Sequence, residues 1–290
     1  MKLTLHTAID IYLVARQAQR YSPHTLLDYT NTYRRFSAWL GCDPPITEIG
    51  ADLICAFMAS TGDVSKKTAL NYHTGLSSLW QWLTENGHAP ANVVRLVKPP
   101  RPEIREINPY NRVEAAAILS AALETRTAIR DRAVILLLLD TGLRASELVG
   151  LHGRDLSLTG RRLLVMGKGD KERSLVFSER TRSAIVDYVG DGHPPGAPVF
   201  RNEHGRPLTR DALRLTIARL GTRAGVLRAG AHRFRHTFAL EFLRNGGNIY
   251  ALQRILGHTT LDMVRRYLAI AQADIEGQME IASPVEAWEL

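Results

Sequence analysis

Three prolines within Lys98-Pro99-Pro100-Arg101-Pro102, with a fourth at Pro109, set the strongest limit on how this chain folds. Proline lacks an amide proton and fixes φ, so no helix or central strand continues through such a stretch, which runs stiff and extended. The chain is thereby divided into residues 1–98, a linker over 99–108, and a second half beginning at 109. With 290 residues, 45% of them hydrophobic and 23% charged, both halves are long enough to bury a core, and disorder is not expected.

Residues 1–98 read as helices alone. Leu5 to Val14 form the first. Ser22 is a cap followed by Pro23, which is pre-set for a first helical turn, and Leu26, Leu27, Tyr29, Tyr33, Phe36, Trp39 and Leu40 recur at helical spacing until Gly41. A third helix is expected from Thr47 through Met58. Ser65 caps a fourth, whose apolar face is Leu70, Leu76, Leu79, Trp80 and Leu83 before Asn86-Gly87 stops it. The Trp and Tyr residues keep the helical period and are read as core.

The second half is mixed. Helices are expected near 111–123, 128–140, 145–150, 179–190, 209–224, 232–245, 248–256 and 260–268. Between them, Arg162 to Met166 and Glu172 to Phe177 are β-prone runs joined by the glycine-rich turn Gly167-Lys168-Gly169-Asp170-Lys171, a hairpin. Residues 109–272 thus form an α+β domain. In the final segment, 273–290, Asp274, Glu276, Glu280, Glu286 and Glu289 occur without a single base. Such an acidic tail is expected to dock on a basic neighbour, and truncation near residue 272 should then weaken assembly more than single-site binding.

Charge narrows the partner. Lys and Arg number 37 against 29 Asp and Glu, for a net charge of +8. The excess is +2 in residues 1–98 and +6 beyond, so both halves can face a polyanion. Of the 37 bases, 31 are Arg, whose planar fork matches phosphate oxygens in pairs. Nucleic acid is the leading partner. The most apolar stretch, Ala133 to Leu139, falls far short of a membrane span, and the N-terminus has no signal-peptide pattern. Cys42 and Cys55 suit neither a disulfide scaffold nor a zinc module, so reduced thiols in the cytoplasm are expected.

Five places in the second half gather functional side chains. Thr141-Gly142-Leu143-Arg144 sets an Arg at a helix start after a glycine turn, where backbone amides also attract an anion. Lys168 sits at the hairpin tip. Ala231-His232-Arg233-Phe234-Arg235-His236 places His232 and Arg235 three apart, on one helical face. Leu256-Gly257-His258 follows, and Tyr267 stands nine residues beyond His258. In order and spacing these residues resemble the tyrosine recombinase (phage integrase) family, and the size and two-part layout look like its compact Xer-type members. The family motif commonly has Leu where Phe234 stands; both are apolar.

The resemblance implies a mainly α protein: an N-terminal four-helix core-binding domain that clamps DNA, and a C-terminal α+β catalytic domain of the DNA breaking-rejoining type with a small β-hairpin or sheet. It implies that Arg144, Lys168, His232, Arg235 and His258 are catalytic, with Tyr267 the nucleophile that forms a 3′-phosphotyrosine bond to double-stranded DNA. Members assemble as tetramers on two DNA sites, so a homo-oligomer or a pairing with a paralogous recombinase is expected, in the cytoplasm with the nucleoid and without a membrane partner.

The chemistry agrees with those residue types. A phosphodiester repels nucleophiles by its own charge, so two Arg forks and a His donor, here Arg144, Arg235 and His258, suit the more negative transition state. A Tyr of ordinary pKa near 10 must lose its proton in attack, and His232 is the expected acceptor. Lys168 is the expected donor to the departing 5′ oxygen. No metal or nucleotide cofactor is required. His232 and His236, four apart, lack the third ligand and internal Glu of a zinc motif. His236 is read as a buried, hydrogen-bonded histidine or a neighbour of the site, Glu147 as an anchor of its helix or of a catalytic base, and Lys171 and Arg173 as solvated surface bases. Arg206, Arg210, Arg214 and Arg219 suit a phosphate-facing stripe and a solvated face equally. Two other readings share these features: a type IB topoisomerase-like relaxer, and a DNA-binding regulator without chemistry.

Overall fold

The computed structural model describes residues 3–102, 107–167, 172–190, 192–257, 261–271 and 285. The chain separates into two compact units, Met1–Arg105 and Glu106–Leu290. Much of the tail, 272–284 and 286–290, lies outside the described residues, as do linker residues 103–106.

The first unit holds α1 (Leu5–Ala18), α2 (Pro23–Leu40), α3 (Ala51–Ser60) and α4 (Lys66–Glu85). Ser22 Oγ accepts the Thr25 amide at 3.2 Å and Ser65 Oγ the Thr68 amide at 3.1 Å, so both expected caps are made. Gly41 closes α2 in the left-handed conformation. The third helix differs from its expected bounds. Ile46–Glu48 form a 3₁₀ turn, and α3 starts only after Gly50. A helix through Gly50 would lose about 1 kcal/mol relative to Ala, while the break lets Ile46 and Ile49 both reach the core. That core is aromatic: Tyr12, Tyr33, Phe36, Phe57 and Trp80 are buried among Leu76, Leu79 and Leu83. Tyr21 and Trp39 are exceptions to the core reading, each more than a third exposed.

In the second unit α5 (Arg112–Leu123), α6 (Ala128–Thr141) and α7 (Ala145–Val149) precede a sheet of β1 (Leu156–Ser157), β2 (Arg162–Met166) and β3 (Glu172–Val176). Then follow α8 (Glu179–Val189), α9 (Arg210–Arg223), α10 (Ala231–Arg244), α11 (Ile249–Leu256) and α12 (Asp262–Ala271). The apolar run of α6 is buried where α5, α8 and α10 pack on it. The sheet is antiparallel in the order β1-β2-β3, with Leu163 opposite Leu175 and Val165 opposite Arg173. Alternation along the strands turns Leu163, Val165 and Leu175 inward. A smaller cluster of Ala239, Leu243, Leu252, Leu256, Val264 and Tyr267 joins α10, α11 and α12.

Candidate active site

The site is built at the N-terminal end of α10. Gly230 caps this helix in an extended conformation, and its first turns carry His232, Arg235 and His236. Arg235 is buried, with 2% of its surface exposed. Its guanidinium donates to the Gly142 carbonyl at 2.8 Å and to the Leu256 carbonyl at 2.7 Å. One side chain therefore ties the turn that presents Arg144 to the segment that leads into His258. Burial, with Arg144 and Arg173 nearby, lowers the Arg235 pKa to about 10. It remains a cation at neutral pH, in a setting that rewards the arrival of an anion.

Arg144 stands at the N-cap of α7 because α6 ends in a left-handed Gly142. A Cβ there would come within 2.5 Å of the Phe238 ring, so close packing as well as φ calls for glycine. The Arg144 guanidinium is partly exposed and donates to Glu147 at 2.8 Å, while the other Glu147 oxygen accepts the Arg144 amide at 2.8 Å. Glu147 does anchor its helix, and it does more. Arg173 of β3 reaches it with two bonds of 3.0 and 2.8 Å and donates its Nε to the Ile255 carbonyl at 2.7 Å.

Arg173 is thus no solvated surface base. The strand's two-residue period puts it on the same face as Leu175, inward, and that parity was the signal in the sequence that it belonged inside. Burial alone would raise the Glu147 pKa, but the Arg173 pair and the Arg144 amide outweigh it and hold the carboxylate below its ordinary range. Gly257, left-handed at φ +64, follows Leu256; a Cβ there would meet the Arg173 guanidinium at 3.2 Å.

Tyr267 comes from α12, which packs on α10. It is buried, and its hydroxyl lies 2.6 Å from Nδ1 of His236. The phenol's hydrogen-bond partner is thus His236, whereas His232 is the residue expected from the sequence to accept its proton. The physical reason is helical geometry: His236 is one turn farther along α10, toward α12, and the two imidazoles meet edge to face with centroids 4.4 Å apart. Burial first, then His232, Arg235 and Arg266, lower the His236 pKa to about 4. Burial, Arg235 and Arg144 likewise lower that of His232. Burial raises that of Tyr267 against the opposing pull of Arg235 and Arg266. Among the described residues no third His, Cys, Asp or Glu joins the two histidines in a metal-binding group.

The structure therefore brings together Arg144, His232, Arg235 and Tyr267, and adds Glu147, Arg173 and His236. Lys168 and His258 lie outside the described residues; the strands that lead to the first and the helix end that leads to the second are in place. Arg206, Arg210, Arg214 and Arg219 are all exposed.

A second device surrounds the base of α10. Arg233 donates to the Asn108 carbonyl at 3.1 Å, the Pro109 carbonyl at 3.1 Å, Glu114 at 3.0 Å and the Leu227 carbonyl at 2.8 Å. Its guanidinium also lies 4.1 Å from the centre of the Tyr110 ring. The segment that enters this unit is thereby fastened to the helix that carries the site.

Residues 111–274 match the phage integrase family. Over 259 residues the chain is 31% identical to the tyrosine recombinase XerC of Pelobacter propionicus, with 86% of each chain covered. It is 30% identical over 292 residues to the tyrosine recombinase XerC of a Methylobacterium species, covering 94% of this chain and 91% of that one. Among solved structures, the integrase of transposon Tn1549 in complex with a circular intermediate DNA is similar with a TM-score of 0.80 at 19% identity, over 95% of this chain and 99% of that one. The XerH site-specific recombinase in a post-cleavage complex with a palindromic difH substrate gives 0.70 at 20% identity, over 96% and 83%. At such identities the structural likeness bears on the fold alone.

Proposed function

The chain belongs to the phage integrase family, and we propose that Arg144, Lys168, His232, Arg235, His258 and Tyr267 form the site at which it cuts and rejoins DNA. The protein is a site-specific DNA recombinase. Its substrate on this reading is double-stranded DNA, as in the complexes formed by the Tn1549 integrase and XerH.

The scissile phosphate binds where Arg144 and Arg235 converge, with His258 as a third donor to its non-bridging oxygens. These groups stabilise the charge that builds up in the transition state. The Tyr267 oxygen attacks phosphorus, the bond to the 5′ oxygen breaks, and Lys168 supplies that oxygen's proton. The 3′-phosphotyrosine keeps the linkage energy until a 5′ hydroxyl from another strand attacks it. No step asks for a metal or nucleotide. Glu147 and Arg173 act on the site by holding Arg144.

One observation carries this reading: Tyr267, from a different helix, has its hydroxyl against the residue that follows a buried Arg235, and Arg235 is itself bonded to the turn that presents Arg144. Strand exchange between duplexes requires several such sites, so the working form is a tetramer, of this chain alone or with a paralogous recombinase, acting on DNA in the cytoplasm. The first unit is a clamp. Two weakly binding units on a short tether raise each other's effective concentration on the duplex.

The test uses nicked suicide duplexes drawn from a random library. The wild-type protein should form a covalent adduct that survives denaturation, and sequencing the trapped DNA maps the site. Tyr267→Phe should form none. An adduct of equal yield with that variant would sink the assignment.

A further inference from the structure

His236 belongs to no catalytic set named above, yet it is the residue the Tyr267 hydroxyl touches. We propose that His236, through its Nδ1, is the proton acceptor for the Tyr267 phenol during cleavage. The inference rests on the recombinase reading and assigns to His236 the task that the resemblance and the chemistry of the phenol lead one to expect of His232.

Geometry carries it. The Oη to Nδ1 distance of 2.6 Å is that of a short, strong hydrogen bond. A general base must lie within such reach of the proton it takes, with geometry decided before pKa. The two groups reach each other from separate helices: His236 projects from α10, and Tyr267 belongs to the cluster that holds α12 against it. The charged and titratable groups that act on His236 are His232 and Arg235 on its own helix and Arg266 on α12. Burial first, and then these groups, keep the imidazole neutral at pH 7, as an acceptor must be, and the acceptor role puts its proton on Nε2. Burial and the same neighbours make His236 a weak base in free protein. A bound phosphate adds negative charge beside Arg235 and stabilises the imidazolium, so base strength rises with substrate in place.

The step balances. The phenolic O–H bond breaks as the Oη–P bond forms, and the proton passes to Nδ1 of His236. The P–O5′ bond breaks and the 5′ oxygen takes the proton that Lys168 supplies. On rejoining, the proton on His236 returns to the phenol as Tyr267 departs.

The experiment measures adduct formation by the full chain on a suicide duplex carrying the mapped site. His236→Asn keeps an oxygen acceptor near the Nδ1 position but cannot take up a proton. It should lower the rate about 10²-fold or more while leaving DNA affinity unchanged. A fluorinated tyrosine at position 267, with a more acidic phenol, has less need of a base. It should speed the His236→Asn protein far more than the wild type, an effect that lost positioning alone does not produce.

Adduct formation by His236→Asn at the wild-type rate or faster would overturn the proposal and make the contact a resting latch. A slow variant that the fluorinated residue does not restore would also overturn it, leaving only a positioning role. So would restoration confined to His232→Asn. If wild type itself forms no adduct, the recombinase reading fails and takes the proposal with it.

Discussion

At the scale of single residues, Glu147 carries the most. Its two oxygens serve a backbone amide and two guanidinium groups, and its side chain is only 6% exposed. Removing one partner of a buried ion pair leaves the other charged and unpaired, so Glu147→Ala should destabilise the fold by about 3–5 kcal/mol, read by urea unfolding at neutral pH. The carboxylate's pKa is held below its ordinary range in the folded protein. Its contribution is therefore complete above the unfolded value of about 4.3 and is lost as pH falls through the folded value. The stability gap between wild type and Glu147→Gln should accordingly narrow below about pH 4. A gap that is constant from pH 7 to pH 3 would show that Glu147 is not the charged partner described here.

At the scale of elements, α10 decides the site because both of its faces are committed. One presents His232, Arg235 and His236. The other buries Phe234 and uses Arg233 and Thr237 to grip Asn108, Pro109 and Tyr110. Arg233→Ala removes the Asn108 and Pro109 part of that grip without touching the face that carries His232, Arg235 and His236. Amide hydrogen exchange over residues 108–114 should speed up by at least tenfold, with a loss of about 1 kcal/mol in stability as the part-buried Pro109 carbonyl and Glu114 lose their donor. Unchanged exchange there would mean the segment is held by other contacts. Most helices and the hairpin were legible from period and caps, since Ser22, Ser65 and Gly41 act within one turn of chain. The third helix was less so, because Ile46 and Ile49 choose their backbone by what they pack against. Arg173 was misjudged since its neighbours in sequence are polar; only its parity with Leu175 spoke for an inward side chain.

For the molecule as a whole, the charge excess governs grip on DNA. With +8 spread over both halves and Arg predominating, affinity should fall steeply with salt. If about 6–10 phosphates are contacted, binding weakens about 10³–10⁵-fold between 50 and 200 mM salt. Filter or anisotropy titrations on a duplex check this, and an affinity indifferent to salt would remove phosphate contact as its main source. No described helix is long and apolar enough to cross a membrane.

Order along the chain marks helix starts, a hairpin and the three-residue spacing of His232 and Arg235, which are local features, and it is the resemblance carried by that order that singles out Arg144, Lys168, His232, Arg235, His258 and Tyr267 as the expected site. The prolines likewise mark an expected linker over 99–108. Which imidazole meets the phenol, and which Arg is buried beside Glu147, depended on partners 31 and 26 residues away. Such pairings are set by how α12 and β3 pack against α10 and α7. Side-chain partners across elements follow from burial and from unpaired charge being intolerable in a dry interior, conditions that no spacing in a linear sequence records.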